Sequence, residues 1–161
     1  MSTELPVPIE FRLPEGWWAA SPDQVGASDV AFVALYSEPD DGFTANITID
    51  GEYRSDAMAL HEIADESVQR MRELAEEVTV NGRSEVDSAD APGLTQTLTF
   101  TTVAGGTRRP LVQAQVYLSM LDADDPGKRA VVRLALTAAA AQYENVLGDF
   151  QEFVRTVRPE T

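Results

Sequence analysis

The chain has 161 residues, 43% of them hydrophobic and 24% charged, which is the composition of a globular protein. It contains no cysteine and a single histidine, which excludes disulfides, thiolate nucleophiles and cysteine-ligated metals. With 27 acidic and 12 basic residues, the net charge is −15, and no basic cluster offers a site for nucleic acid or an anionic membrane.

The length predicts a single domain over residues 1–161. No apolar stretch approaches the roughly 18 residues that a membrane span requires, so membrane insertion is not expected. The first residues contain neither a positive segment nor an apolar run of the kind that directs export. The sequence therefore predicts a soluble, cytoplasmic protein.

The N-terminal part of the chain predicts strands. Residues 9–13 alternate in polarity and end at the turn Pro14-Glu15-Gly16. A mostly apolar run at 30–37 and an alternating run at 43–50 flank the polar segment 38–42. The composition of that segment is typical of a turn, so these two runs are predicted to form a hairpin.

An amphipathic helix is the clearest predicted element. Ser55 or Asp56 is expected to cap it, and Asn81-Gly82 to end it. Its apolar residues recur every three or four positions and form one stripe: Ala57, Leu60, Ala64, Val68, Met71, Ala75 and Val78.

The C-terminal half predicts four strands, at 83–87, 94–103, 111–121 and 129–137, followed by a helix at 139–157. The connections between these strands are short, and short connections join antiparallel neighbours. The predicted fold class is therefore α+β, with an antiparallel sheet of six to seven strands packed with two main helices.

The order of these elements resembles that of the PsbP-like family. The residues that carry the resemblance are the stretch Phe11-Arg12-Leu13-Pro14-Glu15-Gly16-Trp17, the hairpin through Asn46-Ile47, and the ending Tyr143…Phe150…Phe153…Val157. The family includes a photosystem oxygen-evolving subunit and a Ran-binding nuclear import factor. The order of elements in this chain is also similar to that of actinobacterial lipoproteins and of adaptor chaperones of type VI secretion. The resemblance implies a sheet between two helix layers and a non-enzymatic, partner-binding role.

One face of the predicted sheet is polar but nearly uncharged, which is typical of a surface that binds a partner. The candidate binding residues on this face are Thr97, Thr99, Gln113, Gln115, Tyr117 and Arg133, the last being its main charge. The alternatives are that threonine simply favours strands, or that a helix covers the face, as the resemblance implies.

Trp17 and Trp18 are further candidate binding residues, in a predicted loop. Adjacent residues point in different directions, so one of the two is expected in the core. The other either partly covers the core or contacts a binding partner, since exposed tryptophan is enriched in binding hot spots.

Two features that suggest chemistry have simpler interpretations. His61 is of a residue type that can act as a general base, but no serine nucleophile motif accompanies it, so a surface histidine is favoured. The segment 122–127 begins like a calcium loop, but Pro126 and Arg133 stand where an oxygen ligand and a bidentate glutamate are required. A polar turn is favoured there, and no metal or other cofactor is predicted.

The favoured function is a non-enzymatic protein-binding adaptor or chaperone-like module with a protein partner, as a monomer or homodimer. The alternative is a carrier of a small apolar ligand, held between sheet and helix by residues such as Phe43, Leu98 and Phe150. A hydrolase that uses His61 is the least favoured hypothesis.

Overall fold

A computed structural model describes residues 9–21, 30–37, 43–54, 59–86, 93–104, 106–121 and 129–159. The helices are α1 (Leu60–Leu74) and α2 (Tyr143–Thr156). The strands are β1 (Ile9–Glu10), β2 (Trp17–Ala20), β3 (Phe32–Tyr36), β4 (Asn46–Arg54), β5 (Glu76–Val86), β6 (Gly93–Ala104), β7 (Thr107–Leu121), β8 (Arg129–Ala139) and β9 (Arg158–Pro159). The two helices are too short and too polar to cross a lipid bilayer.

Within the described residues, seven strands form one antiparallel sheet in the order β2-β3-β4-β8-β7-β6-β5, and β1 pairs with β9. Each pair of neighbours in the sheet is antiparallel. The α+β fold class predicted from the sequence is therefore confirmed.

The two helices pack on opposite faces of this sheet. Leu134 and Leu136 of β8 belong to the cluster that contains Phe150 of α2. Val131 of the same strand packs instead with Ile63 of α1. Odd and even residues of a strand point to opposite faces, so α1 and α2 enclose the sheet in three layers. We call these the α1 face and the α2 face.

The α2 layer holds the larger apolar cluster. Val146, Phe150 and Phe153 of α2 are buried against Ile47 and Ile49 of β4. Each such side chain contributes roughly 1.5 to 3 kcal/mol when it leaves water. This apolar stripe fixes α2 on the sheet.

Helix α1 is shorter than the sequence predicted. Its N-cap is Ala59 rather than Ser55 or Asp56, and its C-cap is Ala75. The predicted stripe ran on to Val78, but this residue lies in β5, where it packs against the same cluster as Met71. Because α1 and β5 both pack against this cluster, the apolar spacing continues from the helix into the strand. The end of the helix is therefore not visible in the sequence.

Other predicted boundaries also differ. Strand β5 begins at Glu76, so Asn81-Gly82 lies inside a strand instead of ending a helix. Ala139 belongs to β8, and α2 begins four residues later. The turn at Pro14-Glu15-Gly16 is present, and Gly16 takes a φ of 91°, a region that glycine adopts without strain. The predicted turns at 38–42 and 122–127 lie outside the described residues.

Candidate functional site

The predicted polar face does not exist as one surface. Thr97 pairs directly with Ala114, and Leu98 pairs with Gln113. Directly paired residues share a face, so Thr97 and Thr99 lie on the α2 face. The remaining sheet candidates lie on the α1 face: Gln113, Gln115, Tyr117 and Arg133. The grouping was wrong because both faces of this sheet carry apolar residues, and polarity therefore does not identify a face.

The α1-face candidates form a hydrogen-bonded layer beneath α1. Gln115 is 1% exposed and Tyr117 is 2% exposed. The Gln96 amide donates to Gln115 Oε1 over 2.6 Å, and the Tyr117 hydroxyl donates to the same oxygen over 2.9 Å. Gln115 Nε2 donates to Ser67 Oγ of α1 over 3.3 Å. We call this set the polar layer; its buried members stabilise the docking of α1.

An ion pair lies at each end of the polar layer. Arg83 of β5 donates to Gln96 Oε1 and to Asp65 of α1, the latter over 2.8 Å. Arg133 of β8 donates to Asp50 Oδ2 of β4 over 2.7 Å. The polar layer therefore runs across five neighbouring strands, from β5 to β4.

Arg133 and Asp50 are each about a quarter exposed, at 24% and 23%. Burial lowers the pKa of Arg133, but the Asp50 carboxylate and Tyr117 together raise it above its ordinary value. Arg133 therefore stays charged. A cleft of about 290 Å³ opens beside the pair, with Ile63 and Val131 on its apolar side.

The two tryptophans lie in β2 rather than in a loop. Trp17 is 7% exposed; its indole Nε1 donates to Asp149 Oδ2 of α2 over 3.0 Å, and its ring packs 5.0 Å from that of Tyr36. Trp18 is 53% exposed. Trp17 therefore holds β2 against α2, and Trp18 is the residue available to a partner.

His61 lies on the exposed side of α1. Its Nδ1 is 3.6 Å from Glu85 Oε1, and its Nε2 is 4.0 Å from Glu62 Oε1. Two exposed carboxylates at these distances make surface ion pairs rather than a base directed at a nucleophile. Among the described residues, no group of three or more His, Cys, Asp or Glu side chains could hold a metal ion.

The α2 face has an open part beside α2. A groove of about 450 Å³ runs between α2 and the strands β6 and β7, and we call it the α2 groove. Its described lining residues are Thr95, Gln96, Thr97, Ala114, Gln115, Val116, Tyr143, Leu147, Phe150, Gln151, Val154 and Arg155. Leu147 and Val154 are half-buried, so they offer apolar surface to a molecule in the groove.

A row of threonines continues this surface along β6. Thr95, Thr97, Thr99 and Thr101 alternate with buried residues and face the same way. Asn81 of β5 donates to Thr99 Oγ1 over 3.0 Å. Helix α2 packs mainly on β8 and reaches this row where Tyr143 hydrogen-bonds Thr97, whereas Thr99 and Thr101 are not part of the groove lining. The α2 groove and the threonine row thus form one surface.

Tyr143 borders the α2 groove at the first turn of α2. Burial raises the pKa of Tyr143, and its hydrogen bond with Thr97 acts in the opposite direction. The net effect is a pKa above the ordinary value, so the phenol is neutral at physiological pH and acts as a hydrogen-bonding group.

The sequence matches no family model and no curated protein. Solved structures do match. LpqN of Mycobacterium tuberculosis, involved in cell envelope biogenesis, has a TM-score of 0.66 at 13% identity, covering 96% of this chain and 86% of its own. The Ran-binding protein Mog1p of Saccharomyces cerevisiae has a TM-score of 0.58 at 14% identity, covering 94% and 89%. CyanoP, the PsbP of Synechocystis sp. PCC 6803, has a TM-score of 0.58 at 13% identity, covering 94% and 86%.

The chain adopts the PsbP/Mog1 fold. The resemblance predicted from the sequence is therefore confirmed at the level of the fold. Both sheet faces have a helix layer, as the resemblance implied, but α2 leaves part of its face open beside β6 and β7.

Sequence reasoning missed most of the α2 groove within this PsbP/Mog1 fold. Tyr143, Leu147, Gln151 and Arg155 are spaced four residues apart, so they follow one side of α2. This stripe runs beside the core stripe that contains Phe150. The repeat is visible in the sequence, but which side of α2 stays uncovered depends on how the helix packs on the sheet.

Proposed function

We propose that this chain is a non-enzymatic protein-binding module and that its partner binds the α2 groove and the adjoining threonine row. The observation that supports this most is the character of the lining. None of the described lining residues is acidic, although the chain has 27 acidic residues. Interface centres are depleted in charge and combine apolar contacts with hydrogen-bonding groups.

Of the predicted binding residues, Thr97 and Thr99 keep a direct role in this proposal. Thr97 lines the α2 groove and Thr99 extends the row. Trp18 is exposed but lies in β2, at the other edge of the sheet and outside this surface. Gln113, Gln115, Tyr117, Arg133 and Trp17 act indirectly, because they hold the helices in place.

The alternative of an apolar-ligand carrier has less support. The pocket predicted for it needed Leu98 and Phe150 to face each other, but Leu98 packs in the α1 layer and Phe150 in the α2 layer. The sheet separates them. The openings beside α2 and α1 are partly lined by polar side chains.

A partner-binding role agrees with one of the structural neighbours, since Mog1p is a Ran-binding protein. A cytoplasmic location is part of our proposal, and fractionation of cells that express the chain tests it. Recovery of the chain in the envelope fraction would refute that part alone.

Site-directed photo-crosslinking in cells tests the binding surface. We would place a photo-reactive phenylalanine at Gln151, in the α2 groove, or at Gln69, on the exposed side of α1. We expect a discrete protein adduct from position 151 and not from 69, with mass spectrometry identifying the partner. The same adduct from both positions, or none from 151, would refute the proposed surface.

A matched pair of substitutions provides a second measurement on the same adduct. Leu147→Lys places a charge in the α2 groove, whereas Glu144→Lys adds a lysine at an exposed position outside its lining. We expect Leu147→Lys to reduce adduct yield at least about tenfold and Glu144→Lys to leave it unchanged, with both proteins folded by circular dichroism.

A further inference from the structure

We infer that the partner occupies the α2 groove as a short extended segment bearing a carboxylate, which Arg155 binds. This inference rests on the proposed function and specifies the chemistry of its partner. The supporting observations are the charge at one end of the groove, its length and its lining.

The charge of the α2 groove is unlike that of the whole chain. Arg155 is its one charged residue among those described, and it is exposed. In the described part of the chain, no carboxylate pairs with Arg155. Neighbouring openings also contain Arg12, Glu10, Glu15 and Glu152, so the positive charge offered to the groove is that of the Arg155 guanidinium itself.

A net charge of −15 repels acidic partners from most of the surface and favours basic ones. The Arg155 end of the groove has the opposite preference. A guanidinium binds a carboxylate through two parallel hydrogen bonds, which gives orientation as well as affinity. Charge complementarity therefore places an Asp or Glu side chain, or a terminal carboxylate, at this end.

The length of the α2 groove fits a short segment. Tyr143 and Arg155 lie twelve residues apart on one helix, which corresponds to about 18 Å at 1.5 Å per residue. An extended chain rises about 3.3 Å per residue, so roughly five residues cover this distance.

The lining of the α2 groove suits an extended segment. An extended segment inserts only alternate side chains. These meet Leu147 and Val154, while the hydroxyls of Thr95 and Thr97 offer hydrogen bonds.

Binding of acetylated pentapeptide-amide pools tests this inference. In each pool one position is fixed as Asp, Asn or Lys and the others are mixed aliphatic residues and threonine, and fluorescence polarisation gives the affinity. We expect an Asp pool to bind at least about tenfold more tightly than the matching Asn and Lys pools, with the difference shrinking at high salt.

Charge reversal at Arg155 tests whether this residue binds the carboxylate. We expect Arg155→Glu to convert the Asp preference into a Lys preference, and Arg72→Glu, at an exposed position on α1, to leave it unchanged. An Asp preference that survives Arg155→Glu, a preference for Lys in the unmodified protein, or no binding by any pool would overturn the inference.

The peptide assay and the crosslinking assay separate the two proposals. If Leu147→Lys abolishes the crosslinked adduct while the peptide pools show no Arg155-dependent preference, the groove remains the binding surface and the carboxylate inference is wrong. If Leu147→Lys affects neither adduct nor peptide binding, both proposals are wrong.

Discussion

The side-chain amide of Gln96 donates a hydrogen bond to Gln115 Oε1 over 2.6 Å, in the buried space between the sheet and α1. The two residues are direct partners across β6 and β7. Gln115 in turn donates a hydrogen bond to Ser67 of α1. Buried polar groups of this kind are costly when they lose a partner, so the polar layer makes the position of α1 specific.

We expect Gln115→Leu to lower the free energy of unfolding by about 2 to 3 kcal/mol, because it leaves the buried Gln96 amide and Tyr117 hydroxyl without their acceptor. Urea denaturation measures the change. Gln69→Leu is the matched control: Gln69 is exposed on α1, so we expect a change of less than about 0.5 kcal/mol. Equal losses of unfolding free energy in the two variants would show that the buried hydrogen bonds of Gln115 do not stabilise the protein.

We expect a coupling energy of about 1 kcal/mol or more between Arg133 and Asp50 in a double-mutant cycle. Arg133→Met alone leaves the Asp50 carboxylate without its 2.7 Å partner, and Asp50→Leu removes that partly buried charge. The double variant should therefore be more stable than the two single losses predict. Additive losses, measured by chemical denaturation, would contradict the pairing.

We expect Phe150→Ala to destabilise the protein by about 3 to 5 kcal/mol, because the ring is almost fully buried in the α2 layer and its removal leaves a cavity. Glu152→Ala, at an exposed position of the same helix, should change stability by less than about 0.5 kcal/mol. Thermal and urea denaturation of both variants provide the test. A small effect of Phe150→Ala would mean that α2 is not docked as described.

We expect Tyr143 to make stability fall in alkaline solution. Burial raises the pKa of Tyr143 in the folded protein, so the unfolded chain loses this proton first. Stability is therefore retained below the ordinary tyrosine pKa and is lost as the pH rises through the folded value. Tyr143→Phe should reduce the loss above about pH 10, measured by urea denaturation.

Thr97→Val tests the environment of the same phenol. The hydrogen bond with Thr97 lowers the pKa of Tyr143, so its removal should raise that pKa further, as followed by tyrosinate absorbance. A Tyr143→Phe protein with an unchanged alkaline loss, or a Thr97→Val protein with a lowered pKa, would contradict this account.

The PsbP/Mog1 fold could be predicted from local pattern. The alternation in 94–103 and 111–121 and the spacing of Phe150 and Phe153 follow from periods of 2 and 3.6 residues. These periods depend on backbone geometry alone, so β6, β7 and α2 were recognised. Their ends were less predictable, since Val78 extends the stripe of α1 into β5.

The candidate site could be predicted only in part. Thr97 was recognised because it is polar within a strand, but Leu147 and Arg155 were not, because their role depends on what α2 leaves uncovered. Tyr117 appeared to be an exposed polar residue, yet it is buried. Burial of a polar side chain depends on its hydrogen-bond partners, and these come from distant parts of the chain.

By itself, the sequence of this protein indicated most of its strands and helices and which positions alternate, because those properties arise largely from neighbours along the chain. The tertiary structure alone decided which alternating rows share a face. A shift of one residue in register moves a whole row to the other side of a sheet, so the pairing of Thr97 with Ala114 separates the threonine row from the polar layer.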